Sequence, residues 1–304
     1  MTLQDLRYLV ALADHGHFGR AAAACHISQP TLSTQIRKLE RFLGASLFER
    51  ASKALTPTPL GADVIARARQ VIAEADAIVA ATQHAGEPLA GPLALGIIPT
   101  LAPYMLGWLI PALAERYPKL RLAVHEDVTA RLLALLANHQ LDAALLALPL
   151  TEPGLESLAL FDEPFWLAAP ATHRLASRNS VSEEDLKGER LLLLAEGHCL
   201  RDQALALCGA AAAEPRKDLP DLSAASLETV RQMAAIGIGC TLLPAMAVGE
   251  RREPGLALRP LGPGLSRRIG LAWRRTYPYK PALRLLARLI RARLPASVHP
   301  VDGD

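Results

Sequence analysis

No apolar run in this sequence reaches the 18 or so residues that would cross a membrane; Pro, Gly or charge interrupts each one earlier. Met1-Thr2-Leu3-Gln4-Asp5 has neither the basic start nor the apolar stretch of a secretion signal. A cytoplasmic protein with no membrane contact is expected. The four cysteines are then reduced by default and are not read as a disulfide framework. Phosphate-cradling motifs are missing as well. There is no Walker loop and no GxGxxG, and Gly237-Ile238-Gly239 is too short to count. The nine histidines form no HxxxH, and no Cys/His group has metal-ligand spacing. No cofactor, no metal and no enzymatic turnover are expected. Internal repeats and low-complexity segments are absent too, beyond a general richness in Ala and Leu.

What is present is a 304-residue chain with 51% hydrophobic residues, enough for two or three domains with real cores. Its net charge of +3 is unevenly spread. Residues 1–58 carry 7 Lys/Arg against 4 Asp/Glu, residues 59–250 carry 14 against 23, and residues 251–293 carry 12 against 1. A basic N-terminal part ahead of an acidic middle suits contact with a polyanion. The basic C-terminal run reads as a solvated helix face.

Leu3, Leu6, Leu9, Val10 and Leu12-Ala13 recur at helical steps until His15-Gly16-His17 breaks the pattern. Phe18 to Cys25 reads as a short Ala-rich helix, His26-Ile27-Ser28 as a tight connection, and Gln29 to Leu43 as a second helix. Pro30 falls in its first turn, where a missing N–H costs nothing, and Gly44 stops it. This is a helix-turn-helix. Leu32, Ile36, Leu39 and Leu43 share one face of the second helix. Ser28, Gln29, Pro30, Thr31, Ser33, Thr34, Arg37 and Lys38 supply the hydroxyls, amide and basic pair that suit bases and phosphates of double-stranded DNA. Phe48 to Thr58 reads as a wing, with Arg50 and Lys53 as further DNA contacts.

Leu60 to His84 reads as one long helix. Val64, Val71 and Ile78 recur every seven residues, as do Ile65, Ile72 and Val79, which favours a coiled-coil seam and a dimer. No neighbouring helix is evident for it to pack on. Ala85-Gly86-Glu87-Pro88 is the hinge. Strands and helices then alternate. Strands are expected at 92–98, 121–126, 143–148, 165–169, 190–194, 240–243 and 268–273. Helices are expected at 101–117, 129–139, 199–212, 227–235 and 281–294. The fold class is α/β, with mostly parallel sheets behind the reading head.

The runs Phe18-Gly19-Arg20-Ala21-Ala22, Ser28-Gln29-Pro30-Thr31-Leu32-Ser33, Ile36-Arg37-Lys38-Leu39-Glu40, Leu47-Phe48-Glu49-Arg50 and Thr56-Pro57 resemble the LysR-type transcriptional regulators. That resemblance implies a winged helix-turn-helix over 1–58, a dimerisation helix over 59–86 and a regulatory region over 87–304. The regulatory region would have a two-lobed periplasmic-binding-protein-like form, with one lobe at about 91–162 and 269–304 and the other at 163–268. It also implies a dimer of dimers and contact with RNA polymerase.

Cys199 and Cys208 stand nine residues apart on one expected helix. Nine residues of helix span roughly 13–14 Å, and a disulfide needs Cα atoms about 4.4–6.8 Å apart. The pair can bond only if the helix unwinds; spacing alone favours two unrelated, partly buried thiols. Glu196-Gly197-His198-Cys199-Leu200-Arg201-Asp202-Gln203-Ala204-Leu205, with Cys208, Ser226 to Met233 and Thr241-Leu242-Leu243-Pro244, resembles the peroxide-sensing branch of the family. The resemblance implies that hydrogen peroxide oxidises Cys199 to a sulfenic acid and that Cys208 traps it as a disulfide. Cys199 then needs a lowered pKa, for which a helix N-terminus, His198 and Arg201 are at hand. Thr100, Thr129 and Arg274 are the matching candidates for holding peroxide. Each Thr is equally readable as a helix N-cap, and Cys25 and Cys240 read as core. Two other readings compete: an organic effector between the lobes, with the cysteines incidental, and a thiol peroxidase, which the reading head argues against.

Overall fold

The computed structural model describes residues 1–50, 55–83, 89–187, 189, 191–208, 224, 226–249 and 253–301. Outside these fall Lys53 and the wing tip, the hinge 85–88, Arg190 and the expected helix end 209–212. Among the described residues no helix is long and apolar enough to cross a membrane. The chain forms two compact units, one of residues 1–86 with 137–140 and one of 87–136 with 141–304.

The first unit opens with α1 (Leu3–His15), capped by a reciprocal Thr2–Asp5 box and stopped by left-handed Gly16. α2 (Phe18–Ala24) and α3 (Gln29–Leu43) follow. Ser28 caps α3, Pro30 lies in its first turn, and Gly44 ends it in the left-handed region. Leu32, Ile36 and Leu39 bury against Leu6, Leu9, Leu12, Ala21 and Ala22. Leu43 departs from the expected apolar face: it is 37% exposed, one turn past the last buried contact. β1 (Phe48–Arg50) and β2 (Leu55–Pro57) pair antiparallel as the wing.

α4 (Pro59–Gln83) corrects one expectation. It does have a neighbour: Ile65 and Ala68 are buried in the α1–α3 core, with Val64 and Ile72 packed against it. Arg69 pairs with Asp14, and Arg7 Nη2 reaches Asp76 at 2.8 Å. The contact escaped the sequence reading because α1 and α4 are brought together only by the intervening turns. Val71 and Ile78 remain outside this packing and are exposed.

The second unit contains β3 (Gly91–Ile97), α5 (Ala102–Arg116), β4 (Leu120–Glu126), α6 (Thr129–Ala137) and β5 (Ala143–Leu148). This βαβαβ run gives the two parallel pairs, β3 with β4 and β3 with β5. β6 (Leu155–Pro170) follows, then a 3₁₀ turn (Arg174–Ser177), α7 (Glu183–Leu186), α8 (Cys199–Cys208) and α9 (Leu227–Ala235). The chain ends through β7 (Thr241–Pro244), α10 (Ala245–Val248), β8 (Leu256–Pro260), β9 (Ser266–Arg274), α11 (Lys280–Ala292) and β10 (His299–Pro300).

The expectation of mostly parallel sheets fails. β9 inserts between β5 and β6 and runs antiparallel to both, and β7, β8 and β10 pair antiparallel with β6. Local pattern marks a strand but not its direction, which is set by where the returning chain docks. The strand expected at 190–194 is also absent. Leu191 and Leu194 make single bridges to Cys240 and Ala224, and the Thr241 hydroxyl donates to the Leu192 carbonyl. Those backbone groups are satisfied singly, so no ladder is needed.

Two cores flank β6. One gathers Leu95, Ile97, Met105, Leu145, Phe161 and Leu271 with Leu283, Leu286 and Ile290 of α11. The other gathers Phe165, Leu167, Leu200, Ala204, Cys208, Val230, Cys240 and Leu242. The basic C-terminal run is only partly a solvated face. Arg284 and Arg288 are exposed on α11 and Arg293 just past its end, while Arg267 and Arg274 are buried in β9.

Gly61, in the first turn of α4, sits so close to Leu47, just before β1, that an added Cβ would lie 2.0 Å from the Leu47 carbonyl oxygen. Gly61→Ala must push α4 off Leu47. Overpacking of this kind costs about 1–3 kcal/mol, and a lowered melting temperature of the head in calorimetry is the expected result.

Candidate functional site

The reading face of α3 is assembled by its cap. Ser28 Oγ accepts from the Thr31 amide at 3.3 Å and is 2.7 Å from Thr31 Oγ1. Thr34 Oγ1 donates to the Pro30 carbonyl at 2.9 Å. Ser28 and Thr34 therefore use their hydroxyls locally, which orders the helix start. Gln29, Pro30, Thr31, Arg37 and Lys38 are exposed and Ser33 is half-buried. This leaves an exposed amide and a basic pair on the face opposite the core.

In the second unit three chain segments converge on Cys199. The loop after β3 brings Ile98, Pro99 and Thr100, the start of α6 brings Val128 and Thr129, and the start of α8 brings Gly197, His198 and Cys199. Together they line one recess. Gly197 has φ +92°, a backbone state that residues with a Cβ rarely adopt, and it turns the chain into α8. Cys199 is the first residue of that helix, where backbone N–H groups have no partner within the helix. Its side chain packs on the β3–β5 core, whereas Cys208, nine residues on, is buried in the other core. Burial and the nearby carboxylates of Glu189 and Glu183 push the Cys208 thiol up to about 11. Neither cysteine is in a disulfide.

The two threonines differ. Thr100 is buried, and its hydroxyl oxygen accepts from Arg267 Nη1 at 2.7 Å while its carbonyl accepts from Nη2 at 3.0 Å. Its own proton is left to donate. Thr129 Oγ1 is buried and makes no hydrogen bond, so it does not cap α6. An orphaned hydroxyl beside a thiol is costly unless something polar visits it.

Two expected members do not line the recess. Arg274 donates to the Leu136 carbonyl at 2.6 Å and to the Leu141 carbonyl, and lies over the Tyr277 ring. It fastens the end of α6 to β9. Arg201 donates to the Leu194 carbonyl at 3.0 Å; from α8 that carbonyl, not the thiol, is what its guanidinium reaches. His198 does line the recess, and burial lowers its pKa.

Arg267 and Glu163 were missed. Arg267 is fully buried, with Nε on Glu163 Oε2 at 2.9 Å, and Glu163 Oε1 accepts from the Met246 amide at 2.9 Å. The signal was parity: in a strand, Arg267 shares a face with Ile269, Leu271 and Trp273, all buried. Beginning the strand at Arg268 hid it.

Residues 3–62 match the model of the bacterial regulatory helix-turn-helix protein, lysR family, and residues 86–295 match the LysR substrate binding domain. The chain belongs to the LysR family. LysR-family chains are DNA-binding transcription regulators, and α1–α3 with the wing are the DNA-binding part. Along its length this LysR-family chain is similar to the DNA-binding transcriptional dual regulator OxyR of Escherichia coli, at 45% identity over 97% of this chain and 96% of that one. A full-length OxyR variant from Pseudomonas aeruginosa is 38% identical, with a TM-score of 0.83, covering 100% of this chain and 99% of its own. A hydrogen-peroxide-bound OxyR mutant from Corynebacterium glutamicum is 36% identical, with a TM-score of 0.64, covering 96% of this chain and 92% of its own.

Arg267→Ala leaves the Glu163 carboxylate buried without its partner. Such losses cost about 3–5 kcal/mol, and denaturant unfolding of the variant is expected to show that scale of loss. For His198 the folded pKa lies below the ordinary 6.5. As pH falls through 6.5 the unfolded chain takes up the proton first, so stability due to this residue is full above that pH and is lost below it. Urea unfolding between pH 7 and 5 is expected to weaken less in His198→Gln than in the parent; equal slopes would contradict the assignment.

Proposed function

We propose that this chain is a peroxide-responsive transcription regulator whose sensor is Cys199 and whose resolving thiol is Cys208. The observation that carries the reading is the recess itself. It sets one thiol at a helix N-terminus beside an orphaned Thr129 hydroxyl and a Thr100 hydroxyl held by a buried arginine. Hydrogen peroxide is a small donor and acceptor, and both hydroxyls suit it. Transfer of one peroxide oxygen to the Cys199 sulfur gives the sulfenic acid and releases the other oxygen as water or hydroxide. The Cys208 thiol then displaces that hydroxyl as water and forms the disulfide. The names of the relatives, hydrogen peroxide-inducible genes activators among them, support the same reading.

The disulfide is incompatible with an intact α8, because its end residues are roughly 13–14 Å apart at helical rise. Oxidation must unwind α8 and take Cys208 out of its core, so a bond between two sulfurs becomes a change of shape. The altered regulatory region would reset the spacing of reading heads on double-stranded DNA. Those heads are paired by α4 through exposed Val71 and Ile78, and the assembly is a homotetramer built as a dimer of dimers, acting in the cytoplasm with RNA polymerase. The domain limits proposed are 1–58, 59–86 and 87–304, with lobes at 91–162 plus 269–304 and at 163–268. Peroxide is the signal rather than a substrate turned over, and no cofactor is involved.

A free-thiol count with peptide mapping, before and after a brief low dose of peroxide, tests the sensor. Loss of two thiols as a Cys199–Cys208 disulfide is expected, with none lost in Cys199→Ser. Survival of all four thiols would overturn it. For the head, the Arg37→Ala/Lys38→Ala double variant is expected to bind operator DNA at least on the order of tenfold more weakly, with thiol oxidation unchanged. For α4, Ile78→Asp is expected to shift the protein toward smaller species in sedimentation.

A further inference from the structure

Away from the Cys199 recess, three residues that sequence spacing could not connect come together. His173 starts the 3₁₀ turn after β6, Glu189 follows α7, and Cys240 precedes β7. Their donor atoms all lie within 4.8 Å of one another. We infer that His173, Glu189 and Cys240 form a binding site for a thiophilic divalent cation of the zinc class. The sequence spans 67 residues from His173 to Cys240, so no ligand-spacing motif marks it.

The geometry is close to what such an ion requires. Nitrogen, oxygen and sulfur ligands of one tetrahedral zinc, at about 2.0–2.3 Å from the metal, lie roughly 3.3–3.6 Å from each other. His173 Nε2 and Glu189 Oε2 are already 3.4 Å apart. The sulfur, within 4.8 Å of both, needs to close by up to about 1.5 Å to match that spacing. An imidazole, a carboxylate and a thiolate together select zinc-like ions over the oxygen-seeking magnesium and calcium. Cys240 is buried, while His173 and Glu189 keep 22% and 15% side-chain exposure, which gives the ion a path from solvent. Three protein ligands leave the fourth position to water.

The contacts of Glu189 and His173 must adjust to take an ion. Arg174 Nη2 holds the other Glu189 oxygen and also donates to the Asp185 carbonyl at 3.0 Å; its side chain is 59% exposed, so it can give up the carboxylate while keeping that carbonyl. His173 Nδ1 accepts a long 3.3 Å bond from the Leu175 amide. Coordination through Nε2 moves the ring proton to Nδ1 and gives up that bond. The Cys240 thiol proton leaves to solvent as the sulfur–metal bond forms. The ion would tie three segments around the same core that holds Cys208, at a place distinct from the peroxide recess.

The test uses the full chain, fully reduced with a phosphine and kept anaerobic, titrated with Co²⁺ as a coloured stand-in for Zn²⁺. One equivalent is expected to give a thiolate-to-cobalt charge-transfer band with strong tetrahedral visible bands, both bleached by Zn²⁺. Cys240→Ser is expected to lose the charge-transfer band. His173→Gln, which keeps the thiol, is expected to bind at least tenfold more weakly, and it serves as the test if Cys240→Ser does not fold. Absence of the band in folded parent protein, its persistence in Cys240→Ser, or unchanged affinity in His173→Gln would each overturn the site. None of these outcomes bears on the Cys199 chemistry, so failure here leaves the peroxide reading standing.

Discussion

Helical rise governs this molecule's regulatory region. At about 1.5 Å per residue, α8 holds the two thiols of its ends well beyond disulfide reach. Burial then reinforces the separation. The first residue of the helix packs on one core and the last is sunk in the other, so the helix spans two packed environments. A reaction that joins the two ends cannot be accommodated by side-chain rotation. It has to be paid in helix hydrogen bonds and in the burial of Leu200, Ala204 and Cys208. That cost is what lets a small oxidant move a large structure.

The recess at the start of α8 depends on a second arrangement, the buried Arg267–Glu163 pair. The arginine's three donor nitrogens are divided between one carboxylate and the hydroxyl and carbonyl of Thr100. Buried charges of this kind rarely add net stability. Here the pair fixes Thr100 against the recess and joins β9, β6 and the β3 loop at one point. Thr129 has no such anchor, and its buried hydroxyl is left without a partner at the same recess.

Much of the head was legible because its signals are local. Cap residues, the turn and the three-residue-scale apolar spacing all lie within a few positions of one another, and α1 to α3 follow them closely. The regulatory region was legible in its elements but not in its pairing. β9 carries the strand pattern that its sequence announces, yet nothing in that pattern says that it enters between β5 and β6. The same limit applied to the site. Cys199 and the two threonines came from resemblance and His198 from its place beside Cys199 in the sequence; the fold brings all four to one recess. Arg274 was misplaced, and Arg267 was overlooked because one residue of strand register decides which arginine faces inward. The His173, Glu189 and Cys240 group was beyond reach for a related reason, since its members meet only through the fold.

Hydrogen–deuterium exchange across the 199–208 peptides, in reduced and peroxide-treated protein, tests the central claim most directly. The account predicts that peroxide strips protection from α8 in the parent and leaves it in Cys208→Ser, where sulfenic acid forms without a bond to close. A Cys199–Cys208 disulfide formed with α8 protection unchanged would contradict it.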